Sequence, residues 1–256
     1  MKIGGFGRIQ DYRPISGAGY DYAELDMPEI EALNEAAFSG LQEEVAQRGF
    51  PVRTGARLLP IVEPTFMVEG FRPASLAPYL KKSCARCAAL GIGKVILGNG
   101  KARTLQSPED IRHEPVFVDF LRMTAEIAGE NGQELILEPL GPKYSNYLNT
   151  LPEAVRVIEL AGSPNLFAMV DLRHMVWSEE PLEDIAAYRD YVHHAHVDFP
   201  TSFPERGYPR GGDGYDYSAF LAALAQAGYD DTLTIEADIP RNWNEAYRGA
   251  QQALGL

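Results

Sequence analysis

Four side chains of metal-ligand type stand near the ends of four successive apolar segments in the second half of the chain. They are Glu138 in GQELILEPL, Asp171 in NLFAMVDLRH, His196 in YVHHAHVDF and Glu236 in DTLTIEAD, and their successive separations are 33, 25 and 40 residues. Each separation is roughly one strand plus one helix, and a closed ring of eight such units takes about 250 residues. The chain has 256 residues. The pattern therefore predicts an α/β fold, a single (β/α)8 barrel over residues 1–256, with one metal site at the carboxyl-terminal mouth of the strands.

The four side chains suit a divalent cation. Each segment is a short run of Leu, Ile, Val, Met and Phe, typical of a strand buried on both faces, where an ionised carboxylate is costly unless it is paired or bound to a cation. In a closed barrel strands 5 and 8 nearly face each other, so Glu138 and Glu236 approach one point from opposite sides. Three carboxylates and one imidazole suit one Mn²⁺, Co²⁺ or Mg²⁺ ion, with Zn²⁺ as an alternative. For either glutamate alone, a salt bridge to a buried Arg or Lys is the competing interpretation.

Short apolar runs alternate with amphipathic runs along the whole chain, which indicates a parallel sheet with helices outside. The other predicted strands cover residues 2–9, 19–27, 56–64 and 93–100. The predicted helices lie within residues 28–49, 73–90, 111–131, 151–162, 181–190, 216–228 and 244–254. The longest irregular stretch, residues 198–214, follows strand 7. Because loops after barrel strands build active sites, we expect this one to cover the metal.

Composition limits the partners and the compartment. A net charge of −13 argues against a nucleic-acid or anionic-membrane surface, which needs basic residues. No run approaches the ~20 apolar residues of a membrane span, and MKIGGFGRI lacks the apolar core of a signal peptide. We therefore expect a soluble cytoplasmic protein with no nucleic-acid or membrane partner; a homo-oligomer stays open. Cys84 and Cys87 are three residues apart in a predicted helix with no second pair, which favours packing over zinc or redox chemistry.

Other titratable side chains admit structural interpretations. His193 and His194 alternate with His196 along one predicted strand, so His193 should point out to the helices and His194 inward, one layer below His196. We interpret both as structural. Glu24 and Glu63 end predicted strands 2 and 3, where they either face the cavity and orient a substrate or form salt bridges within the barrel.

Several pieces of sequence, in one order, resemble a known family. They are ILEPL, MVDLRH, HAHVD, PRGGDGYDY and LTIEAD, and GYDYAEL is similar to that family's second strand. They resemble the xylose-isomerase-like TIM-barrel sugar isomerases and epimerases, above all ketose 3-epimerases and hydroxypyruvate-isomerase-like proteins, over essentially the whole chain. The resemblance implies a small-molecule sugar substrate and the same four metal ligands, Glu138, Asp171, His196 and Glu236. It also implies that His174 contacts substrate together with an arginine in the loop after strand 7, which Arg206 matches, with Arg210 as the competing candidate.

The implied reaction accounts for this residue set. Epimerising or isomerising a ketose requires removal of a proton from the carbon next to the carbonyl. A divalent cation that chelates the carbonyl oxygen and a neighbouring hydroxyl stabilises the enediolate as it forms. Glu138 and Glu236 can then act as the catalytic pair, one abstracting a proton and the other returning one to the opposite face. We therefore expect a metal-dependent sugar isomerase or epimerase of carbohydrate metabolism.

Other functions compete with this hypothesis. A metal-dependent lyase that dehydrates a keto-polyol uses the same cation and enediolate and stays open as an alternative. A metal-dependent hydrolase of the same barrel type, such as a phosphodiesterase for abasic DNA, needs extra histidines on early strands, but the first 112 residues contain no His. A non-catalytic binding protein has no use for both glutamates. The sequence leaves open the sugar, its chain length and the choice between epimerisation and aldose–ketose isomerisation.

Overall fold

Eight parallel strands close into a barrel in the computed structural model, which describes all 256 residues, Met1–Leu256. In chain order the strands are β1 Lys2–Gly7, β2 Tyr22–Asp26, β3 Val52–Ala56, β4 Lys94–Leu97, β5 Glu134–Leu137, β6 Leu166–Asp171, β7 Val192–Val197 and β8 Thr232–Ile235. Each strand pairs with the next along the chain, and β1 also pairs with β8. The predicted TIM barrel is confirmed.

Helices connect the strands and cover the outside of the barrel. In chain order they are α1 Tyr12–Gly17, α2 Met27–Ala32, α3 Glu35–Arg48, α4 Ala77–Ala89, α5 Gly100–Arg103, α6 Glu114–Gly129, α7 Leu151–Ala161, α8 Leu172–Trp177, α9 Glu183–Ala187, α10 Ser218–Gln226 and α11 Trp243–Leu254. Their apolar faces pack with the strands into one continuous core. None of these helices combines the length and the apolar character that crossing a bilayer requires.

The prediction of the third strand at residues 56–64 is wrong. The strand is β3, which ends where the predicted one begins. Arg57 has a positive φ of 54°, which turns the chain out of the sheet, and Pro60 and Pro64 cannot donate to a strand ladder. The apolar run instead forms part of the wall of a cavity at the barrel mouth.

Two predicted helices also differ in extent. The helix predicted at 28–49 is divided into α2 and α3, because Leu33 is extended and Asn34 caps α3 by accepting a hydrogen bond from Ala37 N at 2.9 Å. The helix predicted at 181–190 is only the short α9. Helices α1, α5 and α8 were not predicted. They begin shortly after β1, shortly after β4 and directly after β6.

Candidate metal centre

The four residues singled out in the sequence meet at the carboxyl-terminal mouth of the barrel. Glu138 follows β5, Asp171 ends β6, His196 lies in β7 and Glu236 follows β8. One ligand atom from each lies within 4.8 Å of the others. His196 Nδ1 is 3.1 Å from Glu236 Oε2 and 3.7 Å from both Glu138 Oε1 and Asp171 Oδ2. The barrel thus brings together side chains that are up to 98 residues apart in the sequence.

The donor atoms of this cluster fit a divalent cation. Glu138 Oε1 and His196 Nδ1 are buried and have no hydrogen-bond partner, and Glu236 Oε2 is buried in an ion pair with Arg206. A buried polar atom without a partner is costly. Three carboxylates and an imidazole are ligands that Mn²⁺, Co²⁺, Zn²⁺ and related ions accept, and a cation bound here supplies the interaction that the free atoms lack.

Two residues that the sequence analysis missed position Glu138. A Cβ built on Gly98 would lie 1.9 Å from Glu138 Oε2, so this backbone position leaves room for the carboxylate only as glycine. Arg103 is fully buried and donates a hydrogen bond to the backbone carbonyl of Glu138 at 2.6 Å. The glycine directly after an apolar run in LGNG was an available signal of a close approach; nothing in the sequence distinguishes Arg103 from a solvated arginine.

A second polar layer lies one step deeper in the barrel. Glu24 is fully buried, and its Oε2 accepts hydrogen bonds from Thr54 Oγ1 at 2.7 Å, Thr234 Oγ1 at 2.9 Å and His194 Nε2 at 3.0 Å. Its other oxygen, Oε1, is 3.0 Å from His196 Nε2. A carboxylate beside Nε2 favours the imidazole tautomer protonated there, which leaves the lone pair of Nδ1 facing the upper cluster. Of the two interpretations from sequence, the contacts match a pairing within the barrel, with His194 and the candidate ligand His196 as the partners.

The remaining histidines of β7 lie where the alternation predicts. His194 points inward, and burial lowers its pKa to about 4, with Glu24 opposing, so the ring is neutral and structural. His193 points outward, where it stacks on Phe167 and lies 3.1 Å from Glu134. Glu63 is exposed and lies outside the strands.

The cysteine pair belongs to the core. Cys84 and Cys87 are free, buried thiols in α4. Burial raises the pKa of Cys84 to about 12, and the pKa of Cys87 is raised for the same reason. Both thiols are thus protonated and inert at neutral pH, as a packing role requires.

Arg206 rather than Arg210 lies at the cluster. Arg206 Nη1 is 2.6 Å from Glu236 Oε2, Nη2 is 3.0 Å from Asp171 Oδ2, and Nε is 2.9 Å from Asp198 Oδ2. Arg210 lines a separate groove on the outside of the molecule. Residue 206 comes from the irregular stretch 198–214, which thereby reaches over the candidate metal centre as expected.

A buried ion pair that the sequence analysis missed holds this loop. Arg173 is fully buried, and its Nε lies 2.7 Å from Asp198 Oδ2. Its Nη2 donates hydrogen bonds to the Phe199 carbonyl at 2.8 Å and to Ser202 Oγ at 3.1 Å. Asp198 therefore bridges Arg173 and Arg206. Arg173, the third residue of the DLRH motif, thus anchors the loop that carries Arg206.

The electrostatic environment shifts the pKa values of Glu138 and Glu236 in opposite directions. Burial raises the pKa of Glu138 to about 7, with help from Glu236 and Asp171 and against His196. Burial also acts on Glu236, but Arg206 and His196 outweigh it and hold the pKa of Glu236 below its usual value. Two carboxyls whose pKa values are pushed apart are suited to separate acid and base roles.

In the metal-free protein, the pKa values of His196 and His174 are shifted in opposite directions. Burial lowers the pKa of His196, but Glu24 and Glu236 outweigh it and raise that pKa well above the ordinary value. Burial lowers the pKa of His174 to about 4 against the pull of Asp171, so His174 is neutral. His174 Nε2 lies 3.7 Å from both Glu138 Oε1 and Asp171 Oδ2, and a neutral imidazole there can donate one hydrogen bond and accept another.

The cluster forms the floor of a cavity of about 410 Å³. Glu138, His196, Glu236, His174 and Arg206 all line it. This volume lies in the usual range for small-molecule sites, about 300–1,000 Å³. The five side chains therefore reach a space in which a small ligand can meet them together.

Comparisons with known proteins agree with this geometry. A family model described as xylose isomerase-like TIM barrel matches residues 13–255. The L-ribulose 3-epimerase of Methylomonas sp. (strain DH-1) is 24% identical over 227 residues, which cover 86% of this chain and 74% of the relative. The fructoselysine 3-epimerase of Escherichia coli O157:H7 is 28% identical over 130 residues, which cover 50% of this chain and 47% of the relative.

A solved structure gives the same result for the fold. A D-psicose 3-epimerase, crystallised in the presence of D-fructose, has a TM-score of 0.83 to this chain at 16% identity, with 100% of both chains covered. The resemblance inferred from the sequence motifs is thereby confirmed. Because the family model spans nearly the whole chain, this protein belongs to the xylose isomerase-like TIM-barrel family.

Proposed function

We propose that this protein is a divalent-metal-dependent epimerase that inverts the carbon next to the carbonyl of a ketose. The observation that carries the proposal is the convergence of Glu138 and Glu236 on one cluster of oxygen and imidazole donors at the floor of a sugar-sized cavity. Both curated relatives described above are named 3-epimerases, which favours inversion at carbon 3 over aldose–ketose isomerisation.

In this proposal Glu138, Asp171, His196 and Glu236 hold one cation, with Mn²⁺, Co²⁺ or Mg²⁺ as the expected ions and Zn²⁺ as the alternative. When bound, the cation stabilises the negative charge that develops on the substrate oxygens during proton removal. Glu24 keeps His196 in the tautomer whose Nδ1 faces the other three side chains.

Glu138 and Glu236 carry the proton transfers. Glu236 acts first as the base, because Arg206 keeps it ionised through a lowered pKa. Glu138, whose pKa burial raises to about 7, delivers a proton to the opposite face of the resulting enediolate. For the other epimer the two roles exchange, as reversibility requires.

His174 and Arg206 orient the substrate. The neutral His174 donates a hydrogen bond to a substrate oxygen. The guanidinium of Arg206, which carries five N–H donors, serves a second oxygen while it stays against Glu236 and Asp171. Both side chains line the cavity beside the two glutamates.

The test is exchange from solvent. Metal-loaded protein is incubated in D₂O with a panel of ketopentoses and ketohexoses, and products are followed by NMR and mass spectrometry. The proposal expects the carbon-3 epimer carrying one solvent deuterium at carbon 3. Formation of an aldose would indicate an isomerase, and loss of water from the sugar would indicate the lyase. Absence of carbon-bound deuterium in every ketose would contradict the proposed reaction class.

A further inference from the structure

The mouth of the cavity carries positive charge that the proposed proton transfers do not use. Lys101, Lys143 and Arg57 line the cavity. The lining carboxylates, Glu138 and Glu236, belong to the candidate metal centre on its floor. The upper part of the cavity therefore presents cations without lining acids, in a chain whose net charge is −13.

The two lysines are the cations that the protein itself leaves unneutralised. Arg57 Nε lies 2.6 Å from Asp26 Oδ1, and Arg206 is held by carboxylates at the floor. No carboxylate oxygen lies within the 4.0 Å of an ion pair from the ammonium group of Lys101 or Lys143. Their charges are thus available to a ligand that enters the cavity.

Aromatic rings hold the ammonium group of Lys143 in place. Its Nζ lies 3.9 Å from the ring centroid of Trp177 and 4.5 Å from that of Phe203. Trp177 is itself fixed, because its Nε1 donates to the Pro200 carbonyl at 2.9 Å and its ring stacks on Tyr144 at 5.5 Å. Cation–π contacts position an ammonium group but, unlike a carboxylate, leave its full charge in place.

The two lysines come from adjacent loops that touch each other. Lys101 follows β4 and Lys143 follows β5, which are neighbouring strands. A Cβ built on Gly100 would lie 2.8 Å from the carbonyl oxygen of Tyr144. Gly100, which precedes Lys101, therefore packs against the backbone of Tyr144, which follows Lys143. A side chain at position 100 would clash with that carbonyl oxygen.

We propose that Lys101 and Lys143 bind an anionic group, a carboxylate or a phosphate ester, at the end of the substrate away from the reacting carbonyl. The inference rests on the proposed function, because it assigns the two lysines to the substrate of the same site. Carboxylates and phosphates share the chemistry that matters here, oxygen acceptors with negative charge that bind ammonium groups by charge-assisted hydrogen bonds.

The test compares matched ketoses that differ in whether the terminal carbon carries a neutral hydroxyl or an anionic group. Values of kcat/KM are measured for D-ribulose against D-ribulose 5-phosphate and for D-fructose against D-fructuronate. For one of the two pairs, kcat/KM of the wild type should be at least about tenfold higher for the anionic sugar than for the neutral one. The pair with the larger ratio identifies the bound group as phosphate or carboxylate. In Lys101→Gln/Lys143→Gln that ratio should fall to about one, because each exposed charge contact contributes about fivefold. Lys81→Gln, an exposed lysine on α4 outside the cavity, makes a matched charge change and should keep the wild-type ratio.

A binding measurement separates failure of this inference from failure of the proposed reaction. Inorganic phosphate and acetate are titrated into metal-free protein, with tryptophan fluorescence as the readout. Lys143 lies over the ring of Trp177, and the other tryptophan, Trp243, does not line the cavity. One of the two anions should change the fluorescence of the wild type and of Lys81→Gln equally, and it should leave the fluorescence of the double lysine variant unchanged. Neutral ketoses preferred by the wild type, or anion effects equal in all three proteins, would overturn the inference. Turnover of neutral ketoses alone would still leave the epimerase in place.

Discussion

Two layers of carboxylate and imidazole groups lie one above the other inside the barrel, and they differ in how their polar atoms are satisfied. In the upper layer, Glu138 Oε1 and His196 Nδ1 converge without hydrogen-bond partners, beside a Glu236 Oε2 that is ion-paired with Arg206. In the lower layer, one oxygen of Glu24 alone accepts three hydrogen bonds, one of them from His194. His196 belongs to both layers, with one ring nitrogen facing each.

The comparison teaches which cluster can hold a cation. Glu24, His194 and His196 also bring their ligand atoms within 4.8 Å of one another, so proximity alone would predict two metal sites. His194, however, already uses both nitrogens, Nε2 on Glu24 at 3.0 Å and Nδ1 on Thr232 Oγ1 at 2.8 Å. A cation there would have to break these bonds, whereas in the upper layer it supplies missing ones. We therefore propose that the metal binds in the upper layer and that the lower layer orients His196.

The largest expected effect is on the two upper glutamates. Glu138→Gln and Glu236→Gln should each lower kcat by about 100- to 10,000-fold, the usual contribution of a general acid or base. Glutamine keeps an oxygen beside the cation but cannot take a proton, so metal content should stay close to that of the wild type. Turnover and metal content are measured on the same samples.

Deuterium exchange sharpens this prediction. Each variant is incubated in D₂O with the epimer that its intact glutamate deprotonates, and exchange at that face alone is expected. Turnover close to that of the wild type in either variant would rule out the two-carboxylate mechanism and leave a lyase or a binding function as the better hypothesis.

A smaller effect is expected in the lower layer. Glu24→Gln should weaken metal binding about 10- to 100-fold, as loss of an orienting partner of a ligand histidine does. Binding is measured by competition with a chelator. The matched control is Tyr22→Phe, because the Tyr22 hydroxyl bonds Thr234 Oγ1 at 2.7 Å in the same layer without touching His196. Equal losses of affinity in the two variants would show that the lower layer acts only through stability.

The remaining effect is that of pH, which leaves the protein itself unchanged. In metal-free protein the pKa of Glu138 is raised to about 7 and that of His196 is raised well above its usual value. Both groups hold protons as the pH falls, and these protons must leave before the cation binds. The affinity for the metal should therefore drop by about tenfold per pH unit for each proton released. At limiting metal concentration, activity should therefore fall as the pH drops through about 7, where Glu138 takes up its proton, and excess metal should partly restore it. An acid limb that does not move with metal concentration would argue against this competition.

The sequence predicted the barrel and the upper layer because both follow from local patterns. Glu138, Asp171 and Glu236 stand out as acids at the ends of apolar runs, and the closed topology then dictates that they meet. The partners of Glu24 could not be read in this way, because His194 is 170 residues away and only the register of the closed sheet brings the two together.

The wrong and the missing predictions also have local causes. The third strand was misplaced because ARLLPIVEP is more apolar than the true strand, VRTGA, while the turn at Arg57 has no sequence signal of its own. Arg173 and Asp198 form a buried pair that lies between a helix start and a loop. Charged residues in such places are mostly solvated, and only the folded chain shows that these two are not.

The central claim, one cation in the upper layer, is tested most directly by metal content. Metal-stripped wild type, Asp171→Ala and Asp26→Ala are titrated with Mn²⁺, and the bound ion per chain is counted by elemental analysis. Asp26 is the matched control, because it is buried at the end of β2 and caps α2 as Asp171 ends β6 and caps α8. We predict one ion in the wild type, one in Asp26→Ala and none in Asp171→Ala. Full metal content in Asp171→Ala, or two ions in the wild type, would contradict the account.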